Sequence, residues 1–183
     1  MRRVPVGRLV FLDESGCNIA MARTSGWGPK GERIVDYKPA NWGTNISVVG
    51  AIRSDGVVCH RMFDGAINTE KFLLFVRETL CPRLRPGDIV VLDNLRPHRD
   101  PAVFEALREV GARGKLLPPY SPDLNPIELL WSRVKSSVRA VASRTRTGVV
   151  QTVRNALRRV PTEHFVNWFG HCGYRAQRMR SSV

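Results

Sequence analysis

A short aliphatic run that ends abruptly in two polar residues is the most constraining feature of this sequence. Residues 89–92 are Ile, Val, Val and Leu, and Asp93 and Asn94 follow them directly. This pattern is typical of a buried strand that delivers a polar side chain at its carboxyl end. The sequence therefore predicts an α/β fold in which Asp93 lies at the tip of an interior strand.

Two more carboxylates are expected at the same end of the sheet. Glu128 follows Asn125-Pro126, where Asn can cap the free N–H groups of a helix and Pro suits the first helical position, so Glu128 falls in the first turn. Asp13 follows the aliphatic residues 9–12. Taken singly, each has a simpler explanation: Asp13 starts a turn, Asp93 caps the turn before Pro97, and Glu128 completes a capping box. Taken together, these explanations require three coincidences.

The other elements follow from periodicity and turn signals. We predict a strand at residues 6–13 with a hairpin partner at 18–23, and a second hairpin at 45–52 and 57–63 across an Asp-Gly turn. Helices are predicted at 69–80, capped by Asn68 or Thr69, and from Ala102 to a stop at Gly111, before a strand at 115–117. The chain after the Glu128 helix reads as basic and helical. A single domain with helices around a mixed sheet is expected.

Charge points to a polyanionic partner. The 183-residue chain carries a formal net charge of +13, and cationic side chains gain affinity for nucleic acid by displacing condensed counterions. A Gly- and Pro-rich loop combines Arg23, Trp27 and Lys30, a mixture that can stack on a base and hold a phosphate. A Trp that plugs the edge of the sheet is the alternative. Lys135 and Arg139 share the polar side of the helix that begins near Glu128, which suits a grip on a phosphate backbone.

Two further side chains, His98 and Glu14, lie near the predicted carboxylates in the sequence. His98 lies shortly after Asp93 and is predicted either to contact a phosphate or the nucleophile, or to be structural. Glu14 is predicted to be a bystander, because neighbouring residues on a strand point to opposite faces.

Several other classes of protein are disfavoured. The four cysteines are scattered, and Cys59-His60 and His171-Cys172 are adjacent pairs that make poor chelates, so neither a zinc site nor a disulfide framework is indicated. The apolar run near the amino terminus is too short for a signal peptide, and nothing approaches membrane-spanning length. A cytoplasmic protein is expected.

The predicted carboxylates define a chemistry. Three of them at one strand end repel one another, which raises at least one pKa unless a divalent cation neutralises them. Ligation by oxygen alone favours Mg²⁺ or Mn²⁺. Two such ions, about 3.5–4 Å apart, promote phosphodiester displacement, in which water gives strand cleavage and a DNA 3′-hydroxyl gives strand transfer.

Four segments carry a close family resemblance: FLDESG, GWGPKG, VVLDNLRPH and LPPYSPDLNPIELLWSRVK. They resemble the catalytic domain of the mariner superfamily of DDE transposases, in its bacterial insertion-sequence branch. The resemblance implies a ribonuclease H-like fold, a triad of Asp13, Asp93 and Glu128, and two Mg²⁺ ions. It also implies cut-and-paste movement of DNA flanked by inverted repeats, a homodimeric synaptic complex and a TA target.

Members of that family carry helix-turn-helix modules ahead of the catalytic domain, and here Asp13 comes almost at once. A cloned fragment, the product of a split reading frame or a decayed copy is expected, with little sequence preference for DNA. We predict a catalytic domain at residues 1–143 and a basic helical extension at 144–183 packed on it. The alternative function is a non-catalytic DNA-binding or assembly remnant of a transposase. A ribonuclease H that cuts RNA–DNA hybrids is a third.

Overall fold

A mixed sheet lies at the centre of the molecule. The computed structural model describes residues 5–175. Within this part of the chain the sheet has five strands in the order β3-β2-β1-β4-β5. They are β1 (Leu9–Cys17), β2 (Ile46–Arg53), β3 (Gly56–Asp64), β4 (Ile89–Leu92) and β5 (Arg113–Leu116). The first three pair antiparallel, whereas β4 pairs parallel with β1 and with β5. The α/β class with a mixed sheet is therefore confirmed.

Five α-helices flank this sheet in the described residues. They are α1 (Thr69–Phe75, extended by a π-helical turn at Val76–Leu80), α2 (Pro101–Glu109), α3 (Ile127–Val141), α4 (Arg146–Arg158) and α5 (Thr162–His171). Side chains cap three of them, because Asn68, Asp100 and Thr145 accept hydrogen bonds from backbone N–H groups of the first turns. None of the helices is long and apolar enough to cross a membrane.

The two faces of the sheet bury two separate apolar cores. Alternation along β1 sends Val10 and Leu12 to the layer of α1 and α2, and Phe11 to the layer of α3, α4 and α5. The second layer is one continuous cluster that joins the sheet to all three later helices. Its members on α4 and α5 are Val149, Val153, Leu157, Phe165 and Phe169. The carboxyl-terminal helices thus share a core with β1.

The first predicted hairpin was wrong. β1 continues through the turn-prone residues 14–16 to Cys17, and residues 18–23 form no strand. Its antiparallel partner is β2, with Asp13 opposite Gly50 and Cys17 opposite Ile46. The register buries Ser15 and Cys17, and the pairing free energy of the long ladder outweighs the local turn preference of Ser and Gly. Asp13 consequently lies within a strand and not at its end.

Candidate active site

Asp13 is a buried carboxylate on the sheet face that packs against α3. The residue is only 5% exposed, and Trp131 Nε1 donates a hydrogen bond to its Oδ2 over 3.2 Å. The indole lies over Gly50, where an added Cβ would come within 2.8 Å of Trp131 Cη2. The absence of a side chain at Gly50 therefore lets Trp131 reach across the sheet and hold Asp13.

Burial and charge both work against ionisation of Asp13. Burial is the larger cause, and the negative charge of Glu128 adds to it, so that the pKa rises from 3.8 to about 8. The backbone N–H of Glu14 lowers the pKa, while the charges of Glu14 and Asp93 raise it further. The negative charges of Glu128, Glu14 and Asp93 thus all disfavour the ionised form of Asp13, and that of Glu128 does so most strongly. Without a cation, Asp13 is protonated at neutral pH.

Asp93 follows β4 directly and is fixed by two hydrogen bonds. Its Oδ1 accepts from the backbone N–H of Leu95 over 2.9 Å and from His98 Nδ1 over 2.5 Å. The neighbouring Asn94 anchors the loop, because its Nδ2 donates to the carbonyl of Leu117 after β5. Burial alone would raise the pKa of Asp93, but these hydrogen bonds and the charge of His98 lower it. Asp93 both caps the turn, as the simpler interpretation predicted, and presents a charged carboxylate.

His98 links Asp93 to Glu14 through the interior. Its side chain is fully buried, its ring lies 4.2 Å from that of Phe72, and Nε2 contacts Glu14 Oε2 over 2.8 Å. Burial alone would lower the pKa of His98, yet the hydrogen bonds and charges of the two carboxylates raise it to about 9. At neutral pH the imidazolium therefore donates one hydrogen bond to each carboxylate.

This arrangement corrects the interpretation of Glu14 and His98. Glu14 does point away from Asp13, as strand alternation predicted, but it is not a bystander because it holds His98. His98 lies inside the molecule, which argues against its predicted contact with DNA phosphates. Strand alternation predicted on which face of the sheet Glu14 lies. Its contact with His98, by contrast, depends on how α1 packs against β4.

Glu128 is the exposed member of the triad. It is the second residue of α3 and shares the lining of a cavity of about 550 Å³ with Asp93 and Asn125. The predicted cap does not form, since Pro126 occupies the N-cap position and no side chain caps the helix. Instead the Glu128 N–H donates to the backbone carbonyl of Asn125, and Asn125 Oδ1 is buried without a partner. No hydrogen bond holds the Glu128 carboxylate within residues 5–175.

The oxygen atoms of the three predicted carboxylates are suitable ligands for a hard divalent cation. Asp13, Asp93 and Glu128 offer only oxygen atoms, and a cation among them would relieve the repulsion that keeps Asp13 protonated. In the described part of the chain, no three His, Cys, Asp or Glu side chains stand in a metal-holding arrangement as placed. Trp131 holds Asp13 and His98 holds Asp93, whereas no hydrogen bond fixes the Glu128 carboxylate in this part of the chain.

The predicted DNA contacts fall in two places. Arg23, Trp27 and Lys30 are exposed in the loop between β1 and β2, and Trp27 is 103% exposed, so it does not plug the edge of the sheet. Lys135 and Arg139 are half-buried on α3. Burial raises the pKa of the Cys17 thiol and these two cations act in the opposite direction, which places them beside the end of β1.

A family model described as "DDE superfamily endonuclease" matches residues 8–148, which include all three carboxylates. The chain belongs to this family. Among curated proteins, no significant match is found.

Solved structures show the fold of this DDE family member. A Mos1 transposase paired-end complex with the left transposon end matches at a TM-score of 0.73 and 18% identity, over 92% of this chain and 52% of the other. The mariner Mos1 paired-end complex with Mg matches at a TM-score of 0.69 and 18% identity, with the same coverage of both chains. The Mos1 mariner catalytic domain matches at a TM-score of 0.63 and 15% identity, over 92% of this chain and 78% of the other. The chain thus has the ribonuclease H-like fold of a mariner transposase catalytic domain and spans about half the length of the complexed transposases.

Proposed function

We propose that this chain is a transposase catalytic domain that cleaves DNA strands at transposon ends and joins them to target DNA. The observation that supports this proposal most directly is that the negative charges of Glu128 on α3 and Asp93 after β4 both act on the buried carboxyl group of Asp13 on β1. Membership of a DDE endonuclease family supports it. The domain proper would be residues 1–143, with 144–183 as a basic extension packed on it.

The three carboxylates would hold two Mg²⁺ ions, for which Mn²⁺ can substitute. Such ions activate the attacking oxygen and stabilise the leaving oxygen in phosphodiester displacement. The protein's own part is positioning: Trp131 fixes Asp13, and the Glu14–His98 pair fixes Asp93. Glu128 is left able to approach. Fixed aspartates with one adjustable glutamate suit a site that assembles when metal and DNA arrive together.

Duplex DNA is the proposed partner, and a homodimer is the proposed assembly at paired ends. The net charge of +13 favours polyanion binding. Arg23, Trp27 and Lys30 on the β1–β2 loop and Lys135 and Arg139 on α3 are the proposed contacts. The Mos1 structures are complexes of a transposase with a transposon end and with Mg or Mn, which supports the same partners here.

Nicking of supercoiled plasmid by the purified chain tests this function. We expect Mg²⁺- or Mn²⁺-dependent conversion to open circles that stops with EDTA. Asp93→Asn should abolish it while leaving DNA binding intact. Asp55→Asn is the matched control, because Asp55 lies exposed in the β2–β3 turn and should retain full activity.

Two outcomes would contradict the proposal. Tight DNA binding without cleavage under either metal would favour the non-catalytic remnant. Cleavage of an RNA–DNA hybrid in preference to duplex DNA would favour a ribonuclease H. Equal loss of nicking in Asp55→Asn and Asp93→Asn would show that the loss reflects general charge or folding and not the site.

A further inference from the structure

A second cavity, of about 570 Å³, opens beside the edge strand β3. We call it the edge cavity. It lies between the start of β3, the end of α4 and the start of α5, and an arginine from the turn after α1 completes its wall. Its polar side chains are His60, Arg83, Arg154, Arg158 and Thr162. No Asp or Glu lines it, so its charge is entirely positive.

The arginines of the edge cavity are not neutralised by nearby acids. Within residues 5–175, the ion pairs of the structure involve other arginines, and neither Arg154 nor Arg158 takes part in one. Arg83 donates to the backbone carbonyl of Thr79, which positions its guanidinium without cancelling its charge. Three cations around one concave surface repel one another unless an anion lies between them.

Two further features of the edge cavity favour an anion. The amino end of α5 faces it through Thr162, and Pro161 at the N-cap position offers no side chain to satisfy the exposed N–H groups. The same positive charges act on His60. Burial is the main cause of its lowered pKa, and the charges of Arg154, Arg158 and Arg83 lower the pKa further. A histidine, a helix amino terminus and three arginines thus line one cavity.

The edge cavity lies on the same sheet face as the candidate active site. Asp13 pairs with Gly50 across β1 and β2, and Gly50 pairs with His60 across β2 and β3. Two strand spacings separate Asp13 from His60, which is about 10 Å. At 3.4 Å per base pair this corresponds to about three base pairs of a duplex. Because α3, α4 and α5 cover the sheet between the two places, a duplex reaches both only along the outer surface of this helical layer.

We infer that the edge cavity is a binding site for a backbone phosphate of duplex DNA, a few base pairs from the phosphate that reacts. This inference rests on the proposed function for the identity of the polyanion. The site would set where the duplex lies relative to Asp13 and would contribute affinity without reading sequence.

Salt-dependent DNA binding tests the inference. The 183-residue chain with Arg154→Gln and Arg158→Gln is compared with a control that loses the same charge at the opposite sheet edge, Arg108→Gln and Arg113→Gln. Fluorescence anisotropy with a labelled duplex gives affinity as a function of salt. Because each lost phosphate contact reduces the slope of log affinity against log salt by about 0.9, we expect a slope shallower by about 1 in the edge-cavity variant only. Equal changes in both variants, or none, would overturn the inference.

Nuclear magnetic resonance of the His60 ring supplies a second readout in the unmodified chain. The His60 signals, assigned by their loss in His60→Gln, should shift when a short duplex is added and shift less in the Arg154→Gln, Arg158→Gln variant. A shift with inorganic phosphate but none with duplex would show a site for a free anion and refute the assignment to DNA. Circular dichroism of each variant confirms that it is folded.

The failure of this inference is distinguishable from failure of the proposed function. Glu128→Gln should abolish nicking without altering the salt slope. If nicking is absent from the wild type but the slope difference persists, the cavity assignment stands alone. If nicking is present and the slope difference is absent, only the cavity assignment fails.

Discussion

Asp13 is the residue at which burial and charge oppose ionisation most strongly. In the metal-free protein its pKa is about 8, against 3.8 for an ordinary Asp. Between these two values the native state binds more protons than the unfolded state, so the free energy of unfolding falls as pH rises from about 4 to about 8. Asp13→Asn removes this loss and still accepts the hydrogen bond from Trp131.

We therefore expect Asp13→Asn to be more stable than the wild type at pH 8.5, on the order of 2 kcal/mol, and closer to it at pH 5. Urea unfolding in EDTA at the two pH values measures this. Added Mg²⁺ should stabilise the wild type at pH 8.5 and not the variant. A parallel pH dependence in both proteins would contradict the assignment of the raised pKa to Asp13.

His98 makes the opposite contribution to stability. Its pKa is raised to about 9 from 6.5, so the stability that it supplies is complete below pH 6.5 and is lost as pH rises through 9. Glu14→Gln removes one of the two carboxylates responsible, and the His98 ring should then titrate at a lower pH by NMR. If His98 titrates unchanged in Glu14→Gln, the two side chains are not coupled.

The same substitution tests the positioning role of Glu14 in the proposed reaction. Loss of a residue that orients a metal ligand typically costs about 10–100-fold in metal affinity or activity, and we expect that reduction in nicking by Glu14→Gln. Raising the Mn²⁺ concentration should recover part of it. Glu105→Gln, an exposed glutamate on α2, is the matched control and should nick at the wild-type rate.

For single residues, the sequence predicted that Asp93 follows a strand and that Glu128 lies in a first helical turn, because strand ends and helix starts have recognisable residue patterns. The contact between Glu14 and His98 was not predicted from the sequence. His98 lies in a single short 3₁₀ turn, Arg96–Arg99, and its burial depends on α1 lying across β1 and β4. No periodicity in the sequence carries that information.

At the scale of the elements, β2 and α3 are in close contact at Gly50 and Trp131. A Cβ at position 50 would come within 2.8 Å of the indole, which is itself 1% exposed and has no room to withdraw. Gly50→Ala should therefore destabilise the protein by about 1–3 kcal/mol and weaken the hold of Trp131 on Asp13. Tryptophan fluorescence and urea unfolding measure the two effects.

Gly170→Ala supplies the control for that substitution. Gly170 lies in α5, and a Cβ there meets nothing within 4 Å. Since Ala is about 1 kcal/mol more favourable than Gly in a helix interior, this variant should be as stable as the wild type or more so. Equal destabilisation in both variants would show that Gly50 is not a site of close packing.

The starts and ends of the helices and strands show which parts of the fold depend on local sequence and which depend on long-range pairing. Helix α1 begins after the predicted cap Asn68, α2 begins one residue before the predicted start at Ala102, and β4 ends where its aliphatic run ends. β1 does not end at its turn-prone residues, because seven paired positions with β2 hold residues 14–17 in the sheet. Pairing with a strand almost thirty residues later is a long-range effect that local turn propensity does not record.

For the whole molecule, the question is whether the carboxyl-terminal helices are an appendage. Composition and charge predicted a basic helical extension after residue 143, and α4 and α5 occupy that region. Their apolar residues, however, lie in the same cluster as Phe11 of β1 and Trp131 of α3. The position of the proposed ligand Asp13 on that face therefore depends on α4 and α5, which contribute none of the three predicted carboxylates.

We expect a chain truncated after Ser143 to lose its cooperative fold. Truncation would uncover the apolar side of α3 and the sheet face beneath it, and exposed apolar area of that kind costs about 25 cal/mol per Å². Far-ultraviolet circular dichroism, the dispersion of amide NMR signals and sensitivity to trypsin measure the loss. Within the intact chain, Phe165→Ala should destabilise by about 3–5 kcal/mol, whereas the adjacent exposed Val166→Ala should change stability by less than about 0.5 kcal/mol. A truncated chain that melts cooperatively and binds DNA would instead make residues 144–183 a separable extension, since the sheet would then retain its shape without α4 and α5.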